Sequence, residues 1–148
     1  MPSESDRSAP PAAPPPQGDY RPAIVDAGLV MTAGMTPRVD GVLQHAGRVG
    51  ADIDLETARS AAAVAAGNAY AAAVSALGSA DAIRRALRLT VFVNAASGFT
   101  QHSAVADGAS ARLRELLGER GAVVRSAVGV ASLPGGACVE VELTCSVD

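Results

Sequence analysis

Two groupings in this chain have the residue types and spacing to do chemistry. Arg125 sits in a strand-like run, Arg125-Ser126-Ala127-Val128-Gly129-Val130, where Ala127 and Gly129 share its face and leave room around the guanidinium. An Arg in such a place can hold a carboxylate through two parallel charge-assisted bonds. Taken alone, it reads more readily as a surface or interface residue in a salt bridge. Glu140 and Glu142, two apart, share one strand face opposite Val139, Val141 and Leu143. On an open sheet that is an ordinary solvated face. In a partly dry cleft, one of these carboxylates would have a raised pKa and suit general-base work. Thr100, Gln101, His102 and Ser103 form a polar stretch in which His102 is a candidate proton carrier, although a lone exposed His is commonly inert.

Other chemistries lack their parts. Two cysteines, Cys138 and Cys145, and two histidines suggest no metal site. The cysteines fall seven apart in one expected strand, about 23 Å by strand rise, too far for a disulfide. All 12 basic residues are Arg, so no phosphate-binding loop ending in Lys is present. No Ser or Cys stands in a nucleophile elbow. A net charge of -3 offers no general attraction for nucleic acid. No stretch reads as the ~18 apolar residues of a membrane span. The N-terminus lacks a basic region followed by an apolar run. These features point to a reduced, cytoplasmic protein without cofactor.

The elements that must position Arg125 and the Glu pair follow from patterning. With 148 residues, 49% hydrophobic and only 3% aromatic, the chain suits one domain whose core is Ala, Val and Leu. Residues 1–18, rich in Pro, Ala and Ser, read as a disordered tail, and residues 19–148 as the domain. Ala23–Ala27 and Leu29–Gly34 read as short strands broken at Gly28, with a short return strand over Val42–Arg48. Asp54 caps an Ala-rich helix from Leu55 to about Leu77, stopped by Gly78. Leu55, Ala58, Ala62, Ala65, Ala69, Ala72 and Ala76 supply its packed stripe. A strand over Arg85–Asn94 places Leu87, Leu89, Val91 and Val93 on one face. A second helix follows Gly98-Phe99, breaks near Gly108 and stops at Gly118. Strands Val124–Ser132 and Ala137–Val147 close the chain around the turn Leu133-Pro134-Gly135-Gly136.

The result is an α+β order, β-β-α-β-α-β-β, in a mixed sheet with both helices on one face. Two helices cover only one side of such a sheet. The other side, expected to present Ala127, Gly129, Ala131, Thr90 and Phe92, is half apolar, and a second copy of the chain is its simplest cover.

Three stretches together resemble the RidA/YjgF, or L-PSP endoribonuclease-like, family. They are Tyr20 through Val30-Met31-Thr32-Ala33-Gly34; Leu89-Thr90-Val91-Phe92-Val93-Asn94 on to Gly98-Phe99; and Arg125-Ser126-Ala127-Val128-Gly129-Val130-Ala131-Ser132-Leu133-Pro134 with Val139-Glu140-Val141-Glu142. The match is closest to a sub-branch with a longer segment before Arg125, carrying Gly108-Ala109-Ser110. The resemblance implies a chorismate-mutase-like fold, a homotrimer, and inter-subunit clefts that hydrolyse reactive enamines and imines to a keto acid and ammonia. It implies that Arg125 binds the carboxylate of a small substrate, with Ala127 beside it, and that Glu140 activates water. Tyr20 matches a pocket-bordering Tyr. Ala33-Gly34 matches a Ser-Gly turn near the ligand, with one hydroxyl lost. Asp107 falls where relatives often carry Asn, and its charge would weaken anion binding. The competing classes are a non-catalytic trimer that binds a small carboxylate, a related enzyme of specialised metabolism, and a ribonuclease. The acidic balance and lack of a basic, aromatic surface argue against the ribonuclease.

Overall fold

Asp54 begins the longest element. Its carboxylate accepts a hydrogen bond from the Thr57 backbone N–H at 2.8 Å, satisfying one of the donors a helix start leaves open. Helix α1 runs Leu55–Leu77 and ends at Gly78, whose φ of 80° is the left-handed conformation that glycine adopts without strain. The computed structural model describes residues 12–148. Within it, α1 buries a wider stripe than its period suggested, adding Ala61, Ala66, Tyr70 and Ala73, because it packs against both the sheet and the second helix. Ala76, expected in the stripe, is exposed. This helix is long and apolar enough to cross a membrane by length and composition, which corrects the reading of the sequence. With 61% of that window buried in the domain, it serves here as a core helix.

Strands β1 (Ala23–Asp26), β2 (Leu29–Thr32), β5 (Ile83–Asn94), β6 (Val124–Val130) and β7 (Val139–Val147) form one sheet. Their order is β1-β2-β7-β5-β6, with only β5 and β6 parallel. The expected return strand reduces to a two-residue hairpin of β3 (Arg38–Val39) and β4 (Val42–Leu43). Beyond it the chain turns through His45 and Gly47 at positive φ, which ends strand pairing. Helix α2, His102–Leu117, is continuous through Gly108 and does not break there. The reason is packing, since a Cβ at Gly108 would fall onto the carbonyl of Arg59 in α1. Glycine here lets two helices touch rather than ending one.

Both helices lie on one face of the sheet, over Leu89, Val91, Val93, Val139, Val141 and Leu143, all buried. A register shift between Ala86 and Arg88 changes the phase of β5, so Ala86 is buried and Leu87 is turned outward. The expectation that Leu87 lines the core was therefore wrong. So was the placement of Ala127 and Gly129 on the open side. Parallel pairing sets Arg125, Ala127 and Gly129 opposite Leu89, Val91 and Val93, on the helix side. Ala131 lies beyond the end of β6. The open face instead carries Thr90, Phe92, Ser126, Val128 and Val124, with Met31 farther along. Val124, Met31 and Val128 are 64%, 56% and 41% exposed, so this face is half apolar and uncovered.

Residues 1–11 of the expected tail lie outside the described residues. From residue 12 the chain runs alongside the domain, and the Gln17 backbone N–H donates to the Tyr20 hydroxyl at 3.1 Å.

Candidate functional site

Arg125 is already engaged within its own chain. Ser103, Asp107 and Ser110 recur at one-turn spacing on the face of α2 that lies over β6. Arg125 Nη1 donates to Asp107 Oδ1 at 2.8 Å and to Ser110 Oγ at 2.9 Å. Its Nη2 donates to Ser103 Oγ at 2.8 Å and to the Ser103 carbonyl at 3.3 Å. The Arg125 side chain is 19% exposed and that of Asp107 55%, so the ion pair is open to water on one side. The i, i+4, i+7 spacing of Ser103, Asp107 and Ser110 was visible in the sequence and is the signal that would have identified these partners. His102 is a packing residue. Its Nε2 stands 2.5 Å from where a Cβ at Gly129 would be, and its ring meets Phe99 edge-on with centroids 5.3 Å apart.

Glu140 lies on the other side of the sheet, paired with Phe92. Past the end of β2, Met35 forms an isolated bridge to β7, where its N–H donates to the Val141 carbonyl at 2.7 Å and the Val141 N–H to the Met35 carbonyl at 2.9 Å. That pairing presses Gly34 against Glu140, and a Cβ at Gly34 would lie 2.6 Å from Glu140 Oε1. Burial of the half-enclosed carboxyl pushes its pKa up, and repulsion from Glu142 adds to the shift. Tyr20, Ala33, Gly34 and Glu140 border one cleft of about 580 Å³ that also meets Arg38 and Pro134.

The structure thus brings together Tyr20, Ala33, Gly34 and Glu140 and leaves Arg125, Ala127 and Asp107 elsewhere. By register, the Arg125 and Glu140 backbones are about 14 Å apart, and their side chains point to opposite faces. A small molecule cannot touch both within one protomer. Arg38, which lines the cleft, and Asn68, which supports it from α1, escaped the sequence reading. Arg38 looked like turn chemistry. Asn68 looked like one more helix position, yet it is buried and donates to the carbonyls of Thr36 and Arg38 at 3.1 and 2.9 Å, fixing the loop that carries Arg38. Cys138 and Cys145 are free and buried, and among the described residues no cluster of His, Cys, Asp or Glu could hold a metal.

A five-stranded mixed sheet with two helices on one face, a bare opposite face and a carboxylate-walled cleft defines an α+β protein of the chorismate-mutase-like class. The chain belongs to the YjgF/chorismate mutase-like endoribonuclease family, whose model matches residues 9–144. It is 36% identical to Protein TCP17 of Trypanosoma cruzi over 133 residues, 89% of this chain and 83% of that one. The crystal structure of Atu1372 from Agrobacterium tumefaciens is 36% identical and superposes with a TM-score of 0.85, covering 88% and 82% of the two chains. The E. coli YjgF gene product, 22% identical, shares the fold with a TM-score of 0.63 over 90% of this chain and 92% of its own.

Proposed function

We propose that the protein hydrolyses reactive enamines or imines to a keto acid and ammonia, in clefts completed by neighbouring copies of the chain in a homotrimer. The observation that carries this reading is Glu140, a half-buried carboxyl with a raised pKa set into the wall of a cleft. Such a group holds and releases a proton closer to neutrality than a solvated Glu. Glu140 takes a proton from water as the oxygen adds to the C=N carbon. Glu140 returns that proton to the nitrogen to give the carbinolamine, whose hydroxyl proton then passes through Glu140 to the same nitrogen as the C–N bond breaks, so ammonia leaves and C–O becomes C=O. The Arg125 of a second copy supplies the carboxylate clamp by exchanging its Asp107 contact for the substrate. Two features support the assembly: Arg125 and Glu140 face opposite ways in one protomer, and the face bearing Glu140 exposes Met31, Val124 and Val128.

A coupled assay with imines generated in situ from several amino acids tests the chemistry. Wild type should accelerate ammonia release, Arg125→Ala should slow it, and Glu140→Gln should abolish it while leaving ligand binding intact. Release no faster than in buffer would end the deaminase reading and leave that of a non-catalytic carboxylate binder. Light scattering should give the mass of three chains, and a monomer would refute the composite cleft.

A further inference from the structure

Arg38 is the cation that lines the cleft with Glu140, and none of the described residues pairs with it as an ion. It follows the buried Pro37, and its backbone carbonyl is held by Asn68 from α1 at 2.9 Å, so the start of this side chain is fixed. Nη1 donates to the Gly41 carbonyl at 2.9 Å. Nε is enclosed and has no acceptor, and Nη2 lies 3.8 Å from where a Cβ on Gly135 would stand. Gly135 and Arg38 both line the cleft of Tyr20, Gly34 and Glu140. Among the described residues the ion pairs are Arg112–Glu115 and Arg125–Asp107, and Arg38 belongs to neither.

A half-buried guanidinium whose charge no carboxylate matches is costly unless an anion meets it. Nη2, which donates to none of the described residues and is not enclosed as Nε is, is the atom left to do so. Arg38 also differs from Arg125, whose donors are already spent on Asp107, Ser103 and Ser110. We infer that Arg38 recognises an anionic group at the far end of the molecule on which Glu140 acts, so the protein's substrates are dicarboxylates. One carboxylate goes to the Arg125 clamp and the second to Arg38. This rests on the proposed function for the reacting end of the molecule, while the charge at the other end is argued from Arg38 alone.

Binding separates the two ideas. Succinate and butyrate have the same chain length and differ in one terminal carboxylate. Each is titrated calorimetrically into the full-length wild type, Arg38→Met, Arg38→Lys and the turnover-deficient Glu140→Gln. Wild type and Glu140→Gln should bind succinate at least ~10-fold more tightly than butyrate. Arg38→Met should erase that preference with butyrate affinity unchanged, and Arg38→Lys should keep part of it, because charge survives while the fork geometry is lost. Circular dichroism verifies that each variant is folded, and if Arg38→Met is not, Arg38→Lys alone decides. Equal binding of the two acids by wild type, a preference that survives undiminished in the folded Arg38 variants, or no binding of either acid would overturn the inference. A preference lost with Arg38 in a protein that releases no ammonia would uphold the dicarboxylate site and reject the deaminase.

Discussion

Gly34→Ala isolates the contribution of the cleft wall to Glu140. Gly34 is not among the glycines at positive φ, so its backbone accepts an alanine. The added methyl would lie 2.6 Å from Glu140 Oε1, 2.7 Å from Cδ and 2.9 Å from Cγ, far inside van der Waals contact. The Glu140 side chain must therefore swing by about 1 Å to restore ordinary separations near 3.5 Å. Overpacking costs about 1 kcal/mol at the low end of its range, since a side chain rather than backbone gives way. The gain of up to about 1 kcal/mol from stiffening the unfolded chain offsets it. Stability should hardly change. Activity should fall about 100-fold, the usual result of a misplacement of that size. The pH profile supplies an independent readout. Burial and Glu142 raise the Glu140 pKa, and the base works only when ionised, so the acid limb of the rate lies above that of a solvated Glu. Turned toward water, the carboxyl loses desolvation and its pKa falls, so the limb should move to lower pH. Carboxyl NMR titration of both proteins checks the shift directly. A Gly34→Ala protein with wild-type rate and an unmoved Glu140 titration would refute the claim that this contact sets the base.

Further outcomes follow from the same contacts. Gly108→Ala drives a methyl onto the Arg59 carbonyl, where only backbone can yield, and should cost about 3 kcal/mol in urea unfolding. Asp107→Asn removes the charge competing for Arg125 and should tighten carboxylate binding several-fold by calorimetry, with stability changed by less than ~1 kcal/mol because the pair is open to water. Burial pushes the Cys145 thiol up to about 11 and raises that of Cys138 as well. Neither should react with a disulfide reagent at pH 8 in the folded protein, and both should react on denaturation. Fast labelling of native protein would contradict their burial.

Local chemistry made much of this molecule readable from its sequence. Asp54 and Gly78 bracket α1 because cap geometry depends only on neighbouring residues. The Val-Glu-Val-Glu alternation placed Glu140 and Glu142 opposite Val139 and Val141 because a strand has a period of two. The motif stretches indicated the family and the residues Tyr20, Ala33, Gly34 and Glu140, which one cleft gathers. What the sequence left undetermined were relations between distant segments. Which side Arg125 faces is decided by parallel register with Leu89, thirty-six residues earlier, and no pattern within its own strand encodes that choice. The bulge that turns Leu87 outward arises from pairing with β7. Gly108 reads as a breaker until Arg59 is seen against it, and Arg38 reads as a turn until Asn68 holds its loop beside Glu140. Periodicity and capping are properties of a few consecutive residues. Facing, close approach and shared clefts are set when separate segments pack, and tertiary structure alone decided them here.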